Sequence, residues 1–569
     1  MARRPEDLIY AVDERPPMPT LLALGFQHAA LLAIYLVLIV IVFRAANASH
    51  AATISAVSLG MIAIAIASAL QALHKGPIGS GFLAPPVFSA IYLGPAVLAA
   101  HSGGLPAVFG LTIFAGVVEI LTAHFLRRLR VLFPPAISGF IVSIVGIQLG
   151  LVAIDHVLGI SESGRVDHGS HLIVAGVTLA CIVGLAVWAG GMARLMCSMI
   201  GIVAGLLLAI ALGHIDAASW RSLADASFVD LPGVDFIAYG FDPTLVPAFL
   251  VASVAAALRT VGVITTCQKI NDEDWKRPEM GSIRGGIYAD GIGCVLGGVM
   301  GTMGMNTGPS LVGVSKASGA TSRTIAYAAG GVLLLFAFSP KIAGLFIILP
   351  DAVVGAALLF TASFMIAGGI QIMVSRNIDT RMTFVIGVPM VLGLAREVYE
   401  EYFKNLPAML HPFTNTVLST SVVSAIALHL VFRLGSRRTA DLQFEESTHP
   451  QEDISGLLHD RGRAWGIDKD VVDRAVTTTA QVLDHLERAH LIGDDLRAEV
   501  AYDDFTLVVT VEYNGTLLSL PNVGVKRRSF LEEESFSYGL ADFLTGVYPD
   551  RMESVAHGHK SVIRLIFSA

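Results

Sequence analysis

Two stretches, GPIGSGFLAPP at residues 76–86 and GTMGMNTGPSLVG at residues 301–313, decide the fold. Each puts glycines and prolines into apolar surroundings where a membrane-spanning helix would otherwise run, and both residue types disfavour a helix interior. Non-helical backbone at membrane depth is tolerated only where it is buried in protein or lines a cavity. Each stretch is therefore expected to form a short strand leading into a half-helix. The N-terminal N–H groups of the two half-helices would then face a shared site with partial positive charge. The plainer alternative is close helix packing through small residues.

Working outward, apolar runs occur near 20–43, 51–73, 82–97, 104–124, 131–155, 171–190 and 195–213. A second set lies near 243–266, 284–301, 309–318, 323–339, 342–366, 379–395 and 413–433. That gives fourteen segments, each near the span of a bilayer or a broken piece of one. Of the 569 residues 54% are hydrophobic and 15% charged, and mean hydropathy is +0.67. Soluble proteins carry about 25% charged residues, so lipid is the natural solvent here. Basic residues such as Arg127, Arg128, Lys269, Arg323, Arg381 and Arg438 fall in loops on one side. The positive-inside rule puts that side, and with it both termini, in the cytoplasm of a cell inner-membrane protein.

The halves echo each other. PTLLALGFQ at Pro19 matches PTLVPAFLV at Pro243, FPPAISG at Phe133 matches LPDAVVG at Leu349, and Gly-Ile-Gln recurs at Gly146 and Gly369. The offsets run from 216 to 224 residues. Seven segments per half is odd, so the second half lies upside down relative to the first, as in many secondary transporters. The expected architecture is an all-α membrane protein of 7+7 inverted repeats with two strand/half-helix elements and a small α+β cytoplasmic domain. Its boundaries read as an N-terminal tail at 1–17, repeats at 18–214 and 243–434 around an extracytoplasmic loop at 215–242, a linker at 435–451, and the last domain at 452–569.

Arg259 sits mid-way along the eighth segment, LVASVAAALRTVGVITT. A central arginine costs about 2.5–3.5 kcal/mol on insertion scales, so it faces a cavity or a partner. Glu119, Asp290 and Asp351 are the acidic candidates, either as structural partners or as coupling acids. Gln27 and His28 are polar residues on an apolar first segment, read either as bundle hydrogen bonds or as substrate contacts. The four cysteines lack CxxC or CxxH spacing, which points away from a metal site or disulfide framework. No basic patch suggests nucleic acid, and no nucleophile–base pair or P-loop suggests an enzyme or a cofactor. The polar N-terminus MARRPEDLIYAVDERPPMPT reads without a signal peptide.

Together these features resemble the nucleobase/ascorbate transporter family, the xanthine/uracil permeases. The resemblance runs through most of 20–434. It is carried by Gln27-His28, the Gly79-Ser80-Gly81-Phe82 stretch, RRLRVLFPPAISGFIVSIVGIQL from Arg127 and RGGIYADGIGCVLGGVMG from Arg284. GVSKASGATSR from Gly313 and SPKIAGLFIILPDAVVGAALL from Ser339 complete it. It implies fourteen helices split into core and gate domains, a homodimer, and elevator-like alternating access. It also implies a substrate site formed by the third, eighth and tenth segments, where the candidates are Gly81, Phe82, Leu83, Arg259, Gly308, Pro309, Ser310 and Leu311, with Gln27 and His28 of the first segment as further candidates. Family members usually carry a glutamate where Arg259 stands, and Glu/Gln-Asn-x-Gly where this chain has Ser310-Leu311-Val312-Gly313. A carboxylate accepts hydrogen bonds from a neutral base, whereas arginine only donates. An oxopurine anion such as urate, a small carboxylate or an inorganic anion fits better. The sulfate/bicarbonate transporters resemble this fold and move anions, but fold alone does not choose. Three functions are open: a nucleobase-type transporter, an anion transporter or channel, and a transporter-derived sensor.

After Arg438 the composition changes. IDKDVVDRAVTTTAQVLDHLERAH reads as an amphipathic helix, LRAEVAYDDFTLVVTVEYNG as a hairpin turning near Asp503, and KSVIRLIFS as a last strand. The pattern resembles a degenerate histidine-kinase-type ATP-binding fold. Gln481 and Asp484 lie where a magnesium-binding asparagine is usual, Tyr513-Asn514-Gly515 replaces Asp-x-Gly, and Tyr538-Gly539-Leu540 resembles the later glycine motif. A regulatory or dimerising role follows from that reading.

Overall fold

The computed structural model describes residues 4–6, 8–129, 134–159, 169–190, 193–194, 196–215, 220–221, 224, 226–275, 278–374, 378–407, 410–414, 416–433, 438–443, 450–467, 469–488, 496–503, 506–515, 549, 551–557 and 560–568. The chain divides into two compact units, Met1–His429 and Leu430–Ala569.

The first unit is helical. In the first half, α1 (Met18–Ile34) and α2 (Val37–Ala45) make one interrupted segment, followed by α3 (His50–Ala72) and the strand β1 (Pro86–Phe88). Helix α4 (Ala90–Leu129) is broken by Gly104, whose φ of 67° leaves the helical region, so it supplies two segments. Helices α5 (Pro135–Leu158), α6 (Ser170–Trp188) and α7 (Cys197–Ala211) complete the half. The second half runs α8 (Val246–Asn271), α9 (Met280–Val299), β2 (Met305–Thr307), α10 (Pro309–Ser318) and α11 (Thr324–Ala337). It continues with α12 (Pro340–Ile347), α13 (Asp351–Met373), α14 (Thr380–Val398) and α15 (Val417–Arg433). Among the described residues seven helices are long and apolar enough to cross a bilayer alone, and α11–α12 is a pair bent by 91°. The remaining expected segments correspond to shorter or broken helices. Each of the fourteen has its counterpart.

The inverted repeat is visible in the strand pair. β1 and β2 are antiparallel, with Pro86 opposite Thr307, Val87 opposite Asn306 and Phe88 opposite Met305. Beyond the ladder, Ser89 N–H donates to Gly304 C=O at 3.1 Å and Gly308 N–H donates to Pro85 C=O at 3.2 Å. The strands start 219 residues apart, and so do the half-helices that follow them at Ala90 and Pro309. Each bond is therefore the repeat image of the other. A two-fold axis passes between Val87 and Asn306.

Glycines set the closest helix approaches, as they do when small residues let backbones meet in a membrane. A Cβ on Gly116 would lie 2.5 Å from Gly291 C=O, and one on Gly291 would lie 2.8 Å from Gly116 C=O, which closes α4 on α9. In the same way Gly139 and Gly369 close α5 on α13. The N-terminal segment is also docked. Ile9 and Tyr10 donate to Gly319 C=O, Thr321 N–H donates to Tyr10 C=O at 2.8 Å, and Arg323 N–H donates to Val12 C=O at 3.1 Å.

The second unit holds an antiparallel sheet ordered β3-β4-β5-β7-β6: Arg438–Gln443, Arg497–Tyr502, Thr506–Asn514, Lys560–Ser568 and Arg551–His557 in that spatial order. Helix α17 (Lys469–Arg488) buries Val471, Val472, Ala475, Val482, Leu483 and Leu486, an i, i+3, i+4 stripe. That stripe forms one core with Val500, Val509, Val511, Ile563, Leu565 and Phe567. Helix α16 (Pro450–Trp465) adds Ile454 and Leu458 to it. The expected amphipathic helix, hairpin and last strand are all present. The expected linker at 435–451 needs correction, because Arg438–Gln443 pairs along its whole length with β4 and belongs to the sheet. Alternation there is masked by Arg438, Asp441 and Gln443, as on an edge strand with one polar face.

Candidate functional site

The site is built where β1 and β2 cross. A half-helix leaves each strand, so the unpaired N–H groups of two helix starts point to one region. At the first start Ser89 is the cap, and its Oγ accepts from Ile91 N–H at 3.3 Å. Its counterpart at the second start is Gly308.

Arg259 reaches this junction from α8. Its Nη1 donates to Ser89 Oγ at 3.3 Å. The residue is 7% exposed, and its Nε–H is buried without a partner. No carboxylate among the described residues pairs with it. A guanidinium held out of water costs several kcal/mol unless compensated. An acceptor-rich or anionic ligand would supply that compensation with charge-assisted hydrogen bonds.

The three acidic candidates are engaged elsewhere. Asp290 in α9 is fully buried and saturated with donors. Its Oδ2 accepts from Thr260 Oγ1 at 2.5 Å, from Thr307 N–H at 3.1 Å and from the Thr307 hydroxyl, while Oδ1 accepts from Gln71 Nε2 at 3.0 Å. It ties α3, α8, α9 and β2 into one block. Glu119 in α4 accepts from the Tyr92 hydroxyl. Asp351 lies 2.5 Å from Arg44 Nη1 and 3.7 Å from His156 Nδ1. None of them forms an ion pair with Arg259; Asp290 and Asp351 accept from donors on other elements, and Glu119 from Tyr92 of its own helix.

The residues expected at the site divide between two places. Arg259 reaches the strand pair at Ser89 and Gly308 closes it at Pro85, with Pro309 opening α10 and Leu311 buried within it. Ser310 lies in α10, and its side chain is outside the described residues. Gly81, Phe82 and Leu83 do not belong to the strand, which starts only at Pro86. They sit in a loop held by Gly79 N–H on Gly285 C=O and by Ser80 N–H on Gln71 C=O. Phe82 and Leu83 line a small cavity with Cys267, Asn271, Ser315 and Thr321. Cys267 is eight residues beyond Arg259, about 12 Å along the helix. His28 bridges toward that cavity, with Nδ1 at 2.9 Å from Leu24 C=O and Nε2 at 3.2 Å from Ser315 Oγ. Gln27 is buried, and both its amide nitrogen and oxygen are without partners.

Ser89, Asn306 and Thr307 are the residues the sequence reading missed at the crossing. Asn306 Nδ2 donates to Ala256 C=O at 2.9 Å and Thr260 Oγ1 at 2.8 Å, while its Oδ1 is buried without a partner. A serine just before an apolar helical run is an N-cap signal, and Asn-Thr between methionine and glycine is polar where the surroundings are not. No group of side chains that could hold a metal ion occurs among the described residues.

Comparison with known proteins places the chain in a family. The Xan_ur_permease description, a permease family, matches residues 19–401. The chain is similar to the xanthine permease XanQ of Escherichia coli K12, with 26% identity covering 76% of this chain and 95% of that protein. It is also similar to the nucleobase transporter PlUacP of Paenibacillus larvae, with 26% identity over 73% and 95%. Among solved structures, the murine Slc26a9 anion transporter in its inward-facing state matches with a TM-score of 0.51 at 12% identity, covering 77% of this chain and 72% of that one. That last likeness speaks to fold alone. A helical membrane unit with paired half-helices and a family match across two thirds of its length make this chain a member of the Xan_ur_permease permease family.

Proposed function

We propose that the protein is a secondary transporter of oxopurine-type nucleobases, with a urate-like anion as its preferred ligand. Relatives named as xanthine permease and nucleobase transporter support the purine class. The anionic preference rests on one observation: a buried Arg259 guanidinium with no carboxylate on it, hydrogen-bonded to the cap of a half-helix. The ligand would sit among Arg259, Ser89, Asn306 and the N–H groups after Gly308, with Gln27 as a further contact. Two helices closing on each other through Gly139 and Gly369 are suited to a rigid gate, against which the α3, α8, α9 and β2 block would move as an elevator. A homodimer with both termini in the cytoplasm, and a regulatory C-terminal unit that has lost ATP hydrolysis, complete the proposal. In that unit Tyr538-Gly539-Leu540 lies outside the described residues.

Thermal stabilisation of the purified protein tests the reading, since a ligand bound to the folded state raises Tm by mass action. Urate is expected to stabilise more than hypoxanthine or sulfate, and Arg259→Gln to remove the effect. Stabilisation by neutral purines that survives Arg259→Gln would refute the anionic preference. Stabilisation by sulfate or bicarbonate alone would replace the purine class with a small anion.

A further inference from the structure

Two carboxylic acids lie buried beside each other in the core of the first unit, and they are treated in opposite ways. Asp290 takes hydrogen bonds on both oxygens, from Gln71 and Thr260 side chains and from the Thr307 backbone and hydroxyl. A carboxylate so surrounded is stable as the anion. Glu119, equally buried, receives one donor, the Tyr92 hydroxyl, and its Oε2 is buried with no partner. An ionised carboxylate with a bare buried oxygen is costly, and a proton on Oε2 removes the charge.

We propose that Glu119 is the proton-binding residue of the transport cycle, protonated at Oε2 when an anion occupies the Arg259 site. The inference rests on the anionic reading of that site. The titratable groups facing Glu119 set the charge count. Its own helix contributes Tyr92, and α9 contributes Asp290 and Cys294; Arg259 of α8 faces Asp290 and bonds Ser89 one turn before Tyr92. Arg44 of α2 and His156 of α5 are taken by Asp351, Asp155 of α5 is exposed, and Asp242 caps Thr244. Within this enclosure the Arg259 and Asp290 charges offset each other. An incoming anion therefore leaves one negative charge in excess, and an ionised Glu119 would add a second. Like charges in a shared low-dielectric space disfavour each other. Anion binding thus draws a proton onto Oε2, and by linkage the proton favours the anion. Tyr92 is the mechanical connection. It lies in the first turn of the half-helix that holds Ser89, and its ring fills the space at Gly304, where a Cβ would stand 2.4 Å away.

Infrared titration of the full chain in lipid nanodiscs tests this without requiring transport. A protonated-carboxyl band that fades as pH rises is expected in the parent protein and lost in Glu119→Gln. Tyr92→Phe should move its frequency while keeping it. Urate should increase the fraction of the band remaining at a given pH. In proteoliposomes an inward proton gradient should drive urate accumulation by the parent protein; Glu119→Gln should keep urate counterflow and lose the response to the gradient. A titrating band that persists in Glu119→Gln, or no titrating band at all, overturns Glu119 as the proton site. A Glu119-dependent band indifferent to urate overturns the anionic substrate and its coupling, and leaves the protonation on Glu119.

Discussion

Ser89 and Gly308 occupy the same position in the two repeats, yet only Ser89 carries a hydroxyl, and that hydroxyl is where Arg259 bonds. Their backbones are interchangeable: Ser89 N–H to Gly304 C=O is 3.1 Å and Gly308 N–H to Pro85 C=O is 3.2 Å. The asymmetry of the site therefore comes from side chains on a symmetric frame. Ser89→Ala removes the 3.3 Å bond that aims the guanidinium and should leave the strand pair intact. A neutral hydrogen bond is worth about 0.5–1.5 kcal/mol, so urate affinity should fall roughly two- to tenfold by calorimetry. An unchanged affinity would mean that Ser89 does not orient Arg259.

Gly369 tests how tightly α5 and α13 are closed. A Cβ there would stand 2.3 Å from Ser143 Oγ and 2.6 Å from Gly139 C=O, whereas one on neighbouring Gly368 would meet nothing within 4 Å. Gly369→Val should cost about 1–3 kcal/mol through overpacking against backbone, read as a lower Tm in detergent. Gly368→Ala should be neutral, and equal effects of the two would contradict the packing described.

The N-terminal segment is expected to stabilise the loop after α10. Deleting residues 1–16 strips the Thr321 and Arg323 N–H groups of their partners Tyr10 and Val12. Hydrogen exchange at 319–323 should then become fast. Asp13→Asn should do little, because the Arg323–Asp13 pair at 2.5 Å is exposed at the aspartate and such pairs contribute about 0–1 kcal/mol. Protection that survives the deletion would show that the loop holds itself.

The sequence by itself determined the membrane class, the fourteen segments and the inverted repeat, because these depend on length, apolarity and self-similarity along the chain. It also singled out Arg259, since a charge inside an apolar run is conspicuous without coordinates. The C-terminal helix, hairpin and last strand followed from periodicity, while Arg438–Gln443 escaped because four of its six residues are polar or charged and its pairing partner lies 54 or more residues on. Tertiary structure alone decided where the strand begins, at Pro86, and that the first half-helix starts after Ser89. Glycine and proline mark a break in a helix but do not say which residue pairs across it. It also decided which acid serves which role. Asp290 and Glu119 look alike as letters in apolar runs; the number of donors brought to each by distant segments makes one a structural anchor and leaves the other with a bare oxygen.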